Sequence, residues 1–150
     1  MTVNLSELYG RSVLDVSSAT TIGSVRCGVV AAREGRVEAL ALDGTPGEES
    51  ILAWSAIKSI GPDALTVDNT QDLRKPAEGE DRAAKGDTDP IGKNVFTDAG
   101  EAIGQLTDLR VDEDSGRVEE VTIGGERLAG TVIMGSGSYA VVVDRNATRS

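Results

Sequence analysis

The chain contains the same series of short motifs twice, and this repeat constrains its fold more than any other feature. Three motifs recur in the same order and at a nearly constant offset: Gly-Arg-Ser-Val at 10–13 and Gly-Lys-Asn-Val at 92–95, Ile-Gly-Ser-Val at 22–25 and Ile-Gly-Gln-Leu at 103–106, and Gly-Arg-Val-Glu at 35–38 and again at 116–119. Matched units of this size predict two small domains of one design, joined by a linker.

Size and composition limit what each unit can do alone. The chain has 150 residues, and a unit of about 65 residues buries only about 60% of its unfolded surface. We therefore expect the units to gain stability by packing on each other or on a second chain. Aromatic residues make up only 3% of the chain, so the core must consist of Val, Ile, Leu and Ala. This composition disfavours a large aromatic-lined ligand pocket.

Short apolar runs alternate with turn signals throughout both units. Residues 4–9 predict one helical turn, capped by Asn4. Residues 37–42 and 103–111 alternate between apolar and polar or small side chains, which is typical of strands with one buried face. Short strands at roughly 8–12 residue spacing predict an all-β protein of two small antiparallel β-barrels in tandem, with at most short helical turns. Barrel closure would also remove exposed sheet edges.

Composition changes between the two units. We predict one domain over 1–69, a charged flexible linker over 70–89 and a second domain over 90–146. The linker contains Glu-Gly-Glu-Asp-Arg at 78–82 and no large apolar residue after Leu73. Such a segment buries too little surface to offset the entropy cost of ordering its backbone. We also expect residues 147–150 to fray.

Charge and hydropathy disfavour several classes of partner. The net charge is −10, which repels phosphate backbones and anionic lipids. No run approaches the roughly 20 apolar residues of a membrane span, and the first residues show no signal-peptide pattern. The single cysteine, Cys27, excludes an internal disulfide. We therefore expect a cytoplasmic protein with no direct nucleic-acid contact and no direct membrane insertion.

The order of motifs resembles that of the PRC-barrel family. The shared pattern is Gly-x-x-Val, a turn, Ile-Gly, a turn ending in Gly-Arg-Val and an alternating strand, and it covers residues 10–42 and 92–123. Each unit then ends with a glycine and a short Val-containing strand. The first unit departs from the pattern at 17–21, where Ser-Ser-Ala-Thr-Thr replaces the Asp/Gly turn kept as Asp-Ala-Gly at 98–100. This departure predicts a looser first hairpin.

The resemblance implies small β-barrels used as docking modules, with no shared catalytic residues. The family includes the cytoplasmic domain of the photosynthetic reaction centre H subunit and the C-terminal domain of the bacterial ribosome maturation factor. The chain has no histidine, which removes the usual general base near neutral pH and the usual zinc ligand. Cys27 lies in a predicted strand, and we interpret it as a small buried residue. We expect neither an enzyme nor a cofactor.

Two motifs resemble ligand sites by letter only. Gly-Ser-Gly-Ser-Tyr-Ala at 135–140 fits a dinucleotide fingerprint, but a Val-rich strand follows where the mechanism needs a helix. We interpret it as a hairpin turn. Asp112 and Asp114, with Glu119 and Glu120 nearby, lack the spacing of a calcium loop. We interpret them as a solvated turn and assign no metal ligand.

Trp54 and Tyr139 are the candidate partner-binding residues, since large aromatic residues often dominate binding energy at interfaces. For Trp54, packing in the core is the competing interpretation. The sequence favours a non-catalytic protein-interaction or scaffold protein, whose partner has a basic surface patch and which also self-associates. Two alternatives stay open: a ribosome or RNA-processing accessory factor that acts through a basic protein partner, and a weak carboxylate metal-binding protein.

Overall fold

In the part of the chain that the structure describes, the fold is a pair of seven-stranded sheets with one short α-helix. The structure is a computed structural model that describes residues 1–31, 34–68, 72–77, 89–129, 133–136 and 139–144, with the backbone alone at 134 and 136. The all-β class predicted from the sequence is confirmed, with two tandem barrel-like units. Within the described residues the strand pairing leaves both sheets open and forms no closed barrel.

Each half contributes six strands in the same spatial order. The first half contains, in chain order, β2 (Ser12–Asp15), β3 (Thr20–Ala31), β4 (Arg36–Asp43), β5 (Ile51–Ala53), β6 (Ser59–Ile60) and β7 (Ala64–Val67). The second half contains β9 (Asn94–Thr97), β10 (Ala102–Asp112), β11 (Val118–Ile123), β12 (Glu126–Ala129), β13 (Ile133–Ser136) and β14 (Ala140–Val143). The orders β6-β7-β2-β3-β4-β5 and β13-β14-β9-β10-β11-β12 match strand for strand. The sequence repeat is therefore a structural repeat.

Most strand pairs are antiparallel, but each half contains one parallel pair. β2 runs parallel to β7, with Leu14 beside Thr66, and β9 runs parallel to β14, with Phe96 beside Val142. In both pairs the first strand of the unit lies beside one of its last strands. Alternation along a strand shows which face is buried but not the direction of its neighbour, so the sequence predicted antiparallel pairing alone.

Two strands and the helix lie outside the repeated order. β1 (Thr2–Asn4) precedes the helix α1 (Leu5–Leu8), and β8 (Leu73–Arg74) pairs with the outer edge of β5. The predicted helical turn is confirmed, but the predicted cap is wrong, because the Asn4 side chain makes no capping hydrogen bond to the backbone. It donates instead to the carboxylate of Glu7 at 3.5 Å.

The N-terminal segment joins the two halves. β1 pairs antiparallel with the end of β10, although its residues belong to the first predicted domain. In α1, the backbone N–H and the hydroxyl of Ser6 donate to the Asp108 carboxylate at 3.1 and 2.6 Å. Leu5 is fully buried, and a Cβ built on Gly28 of β3 would lie only 2.9 Å from its Cδ2. The helix therefore packs between β3 of the first half and β10 of the second.

The turns that follow β3 and β10 pair with each other reciprocally. The N–H of Val37 donates to the carbonyl of Gly116 at 2.7 Å, and the N–H of Val118 donates to the carbonyl of Gly35 at 2.8 Å. These residues are equivalent in the two copies, so the contact has the form of a twofold-symmetric interface within one chain. One continuous apolar core contains residues of both halves. The expected packing of one unit on the other is thus present.

The structure alters the start of the predicted linker. Leu73 lies in β8 opposite Leu52 and is buried, because its side chain packs into the core. The structure thus places a short strand, at 73–74, inside the span predicted as a charged flexible linker. Residues 69–71 and 78–88, with most of the predicted linker, lie outside the described residues, as do residues 147–150. The boundaries 1–69, 70–89 and 90–146 stay predictions.

Candidate interaction surface

The chain has four aromatic residues, and the structure divides them between two places. Tyr9 and Trp54 lie where the halves meet, while Phe96 and Tyr139 lie on the outer face of the second sheet. This outer pair is the centre of the candidate interaction surface. The sequence identified Tyr139 and missed Phe96.

Strand alternation positions Phe96 away from the core. Val95 and Thr97 of β9 are buried, and Phe96 between them points to the opposite face. Its register partners are Val142 on β14 and Ala102 on β10, so all three side chains share that face. Val142 is 36% exposed. An apolar row thus crosses three adjacent strands on the outside of the sheet.

Tyr139 completes this surface at the start of β14. Its ring stacks on Phe96 with 6.2 Å between the ring centroids and 15° between the planes. The Tyr139 side chain is nevertheless 76% exposed. We call Phe96, Ala102, Tyr139 and Val142 the aromatic patch. Exposed Glu101 lies next to it in the chain, in the turn between β9 and β10.

The corresponding face of the first half has one leucine and two threonines and no aromatic residue. Leu14, Thr66 and Thr21 occupy the positions of Phe96, Val142 and Ala102 in the strand register. The Thr66 hydroxyl bonds the hydroxyl of Ser59 at 2.6 Å. The aromatic patch therefore belongs to the second half alone, although the two sheets share one topology.

Trp54 lies in the core and not on this surface. It begins the 3-10 turn Trp54–Ala56, is 3% exposed, and donates its indole N–H to the carbonyl of Glu113 at 2.9 Å. A Cβ built on Gly116 would lie 3.0 Å from its ring. Trp54 is thus a contact between the halves, and its side chain is not accessible to a partner. This position agrees with the competing interpretation from the sequence, in which Trp54 packs in the core.

A half-buried hydrogen-bonded cluster joins the halves near α1. The Tyr9 hydroxyl donates to Oδ1 of Asp89 at 3.0 Å and accepts from the N–H of Gly28 at 3.1 Å. The N–H of Ile91 donates to the same Asp89 oxygen at 3.1 Å. Burial raises the pKa of Asp89, and burial followed by the nearby Asp89 charge raises the pKa of Tyr9. The cluster links the first half to the residues that precede β9.

Comparison with protein families assigns the repeat. The pattern of the PRC-barrel domain matches residues 1–74 and again residues 84–147. The chain belongs to the PRC-barrel family. Domains of this family are generally protein-interaction modules. Comparison with curated proteins gives no match.

Cys27 of this tandem PRC-barrel protein is buried on β3. It is 2% exposed, and burial, with a smaller effect of the Asp89 charge, raises the pKa of its thiol to about 11. A thiol in these surroundings is protonated near neutral pH and is a poor nucleophile. Its position agrees with the interpretation of Cys27 as a small buried residue.

The turn after β10 uses its carboxylate to hold its own backbone. Oδ1 of Asp112 accepts hydrogen bonds from the N–H groups of Asp114 at 2.8 Å and Ser115 at 3.3 Å. These bonds lower the pKa of Asp112. Across the described residues, no group of three His, Cys, Asp or Glu side chains is arranged to hold a metal ion. Asp112 and Asp114 therefore form an Asx-type turn.

The first hairpin has a comparable turn built from different residues. Oδ1 of Asp15 accepts from the hydroxyl and N–H of Ser17 at 2.7 and 2.8 Å and from the N–H of Ser18 at 3.2 Å. These bonds lower the pKa of Asp15. Ala19 follows with a φ of 56°, the left-handed region that Gly100 occupies in the second half. Serine and aspartate side chains thus hold this hairpin, which was predicted to be looser, in a conformation that favours glycine.

The glycine-rich motif at 135–140 lies between two strands. Gly135 is in β13 and Ala140 begins β14, so a strand follows the motif as predicted. Residues 137 and 138 lie outside the described residues. Dinucleotide binding needs a helix N-terminus after the glycines.

Within the described ranges no helix is long and apolar enough to cross a membrane.

Proposed function

We propose that this PRC-barrel protein is a non-catalytic interaction module that binds another protein through the aromatic patch. The single observation that carries the proposal is the stacked pair Phe96 and Tyr139 on the outer sheet face, with Tyr139 76% exposed. Tyrosine supplies a large and rigid contact area with one polar group. An exposed stacked pair on a sheet face is therefore well suited to anchor a partner.

The charge of the chain supports a partner with a basic surface patch. The net charge is −10, and the turn beside the patch carries Asp98 and exposed Glu101. Complementary charge around an apolar centre accelerates association and disfavours like-charged partners. We also propose that the protein is cytoplasmic, acts as a scaffold and self-associates.

Affinity capture with matched variants tests this proposal. Wild type, Tyr139→Ser and Val16→Ser are immobilised and exposed to native lysate, and circular dichroism verifies that all three fold. Val16 is 49% exposed in the first half, away from the patch, and serves as the control. We expect a protein held by wild type and Val16→Ser and lost from Tyr139→Ser. The same set of proteins on all three would contradict the patch.

Molar-mass measurement tests self-association through the same surface. Light scattering of wild type over a range of concentrations is compared with Tyr139→Ser. A dimer that Tyr139→Ser dissociates would identify a second copy as a partner of the patch. A monomer at every concentration would remove self-association from the proposal and leave binding to another protein.

A further inference from the structure

The two halves differ at one sheet edge, although their strands match. In the first half, β8 pairs with the outer edge of β5, and Leu73 of β8 lies opposite Leu52. In the second half β12 occupies the position of β5, with Leu128 in the place of Leu52. Among the described residues no strand pairs with the outer edge of β12. In the described part of the chain, one edge is thus covered and its counterpart is open.

The loops beside these two edges also differ, because the first half has the longer one. In the first half residues 44–50 connect β4 to β5, and a Cβ built on Gly23 would lie 3.2 Å from the Thr45 side chain. In the second half Gly124 and Gly125 alone connect β11 to β12. Within its described residues, the second half thus has neither the loop nor the strand that covers this edge in the first.

Side chains at equivalent positions record this difference in burial. Ile22 and Leu52 of the first half are 4% and 0% exposed. Of their counterparts in the second half, Ile103 is 36% exposed and Leu128 is half-buried. An open cavity of about 370 Å³ lies here, lined by these two residues with Ile123, Gly124 and Glu126. The same apolar side chains that are covered in one half line an open cavity in the other.

We propose that the edge of β12 binds an extended segment of a partner protein that carries a leucine-sized apolar side chain and, two positions after it, a basic residue. The segment adds a strand to β12, as β8 adds one to β5, and its apolar side chain enters the cavity. This proposal rests on the interaction function proposed above but uses a separate surface, since β12 and β14 lie on opposite sides of β9 to β11.

The chain itself indicates the chemistry of the segment. In β8 a leucine is followed by Arg74 and then Lys75, whose Nζ lies 3.3 Å from Oε2 of Glu48 in the covering loop. Of the described residues that line the cavity beside β12, Glu126 alone is charged, and it is exposed. A basic residue two positions after the apolar one would therefore meet a carboxylate at both edges.

Titration with a synthetic peptide tests the proposal on the full chain. The peptide has the sequence of residues 72–77, Asp-Leu-Arg-Lys-Pro-Ala, with blocked ends, and a matched peptide has alanine in place of leucine. Amide resonances of the isotope-labelled protein are followed by NMR. We expect saturable shifts in β12 and at Ile103, and binding at least about tenfold weaker for the alanine peptide, since each buried methylene contributes to affinity.

Variants of the protein locate the binding site. Ile103→Ser is expected to weaken peptide binding about tenfold, while Val16→Ser, an exposed apolar position elsewhere, leaves it unchanged. Glu126→Lys, at an exposed position, tests the charge at the same edge if Ile103→Ser fails to fold, and we expect it to weaken binding. Tyr139→Ser is expected to bind the peptide normally, so failure here and failure of the aromatic patch are distinguishable.

Three results would overturn the proposal. The first is the absence of saturable shifts. The second is shifts confined to β5 and β8, which would show that the peptide only replaces the strand already present. The third is concentration-dependent association of the protein without peptide that shifts the β12 resonances, which would identify a second copy as the occupant.

Discussion

Replacing Gly116 with alanine tests the reciprocal contact between the halves. Gly116 has a φ of +78°, and an added Cβ would lie 2.5 Å from the carbonyl oxygen of Val37 and 3.0 Å from the ring of Trp54. Its counterpart Gly35 has a φ of +66° with nothing within 4 Å of an added Cβ. Gly35→Ala therefore carries the same backbone cost without the collision and is the matched control.

The two variants differ in an effect that can be estimated. A left-handed conformation costs an L-residue roughly 1–2 kcal/mol, and the smaller entropy of the unfolded chain offsets about 0.4–1 kcal/mol of this. Gly35→Ala should thus lower the free energy of unfolding by about 1 kcal/mol. Gly116→Ala adds an overpacking cost of about 1–3 kcal/mol, for a total of about 2–4 kcal/mol.

Equilibrium denaturation in urea measures both values. The difference is read from the transition midpoints with a shared slope. The oxygen that an alanine at 116 would meet belongs to the backbone of β4, which cannot rotate away as a side chain could. Equal destabilisation by both variants, within about 0.5 kcal/mol, would show that the turns separate at little cost and would refute the tight contact inferred at Gly116.

Three further predictions concern single residues. Ala19→Gly should stabilise the protein by about 0.5–1 kcal/mol in thermal or urea denaturation, because Ala19 has a φ of 56°, and Gly100→Ala should destabilise it by a similar amount. Asp89→Asn should raise the free energy of unfolding at pH 7, because burial raises the pKa of Asp89 in the folded state and so disfavours its ionised form there. This gain in stability should shrink as the pH falls through the pKa of the folded state, and it should vanish below the pKa of the unfolded state. Cys27 should react with a thiol reagent only as fast as the protein opens, and rapid reaction of the folded protein would contradict its burial.

The repeat and the strands could be predicted from the sequence because both depend on local patterns. Alternation around Val37 and Leu109 shows a buried face, and paired glycines such as Gly35 and Gly116 mark equivalent turns. The parallel pairing of β2 with β7 could not be predicted in this way, since no local pattern specifies the direction of a distant neighbour. Each half contains such a pair, β2 with β7 and β9 with β14.

The junction of the halves could not be predicted from local sequence patterns either. β1 has three residues, too few for a periodicity, and its partner is β10 in the other half. Trp54 carries no sequence signal that distinguishes a surface from a junction, since both favour tryptophan. Phe96 could have been found, because it lies between Val95 and Thr97 in an alternating run and its counterpart in the repeat is Leu14.

The unequal covering of the two copies has a consequence for stoichiometry. In a symmetric dimer of two identical short chains, this sheet edge would be either open in both copies or covered in both. Fusion into one polypeptide releases the copies from that restriction: β8 pairs with β5, while among the described strands none pairs with the outer edge of β12. A complex formed at β12 would then contain one ligand segment for each chain, and titration to saturation would end at a ratio of one to one.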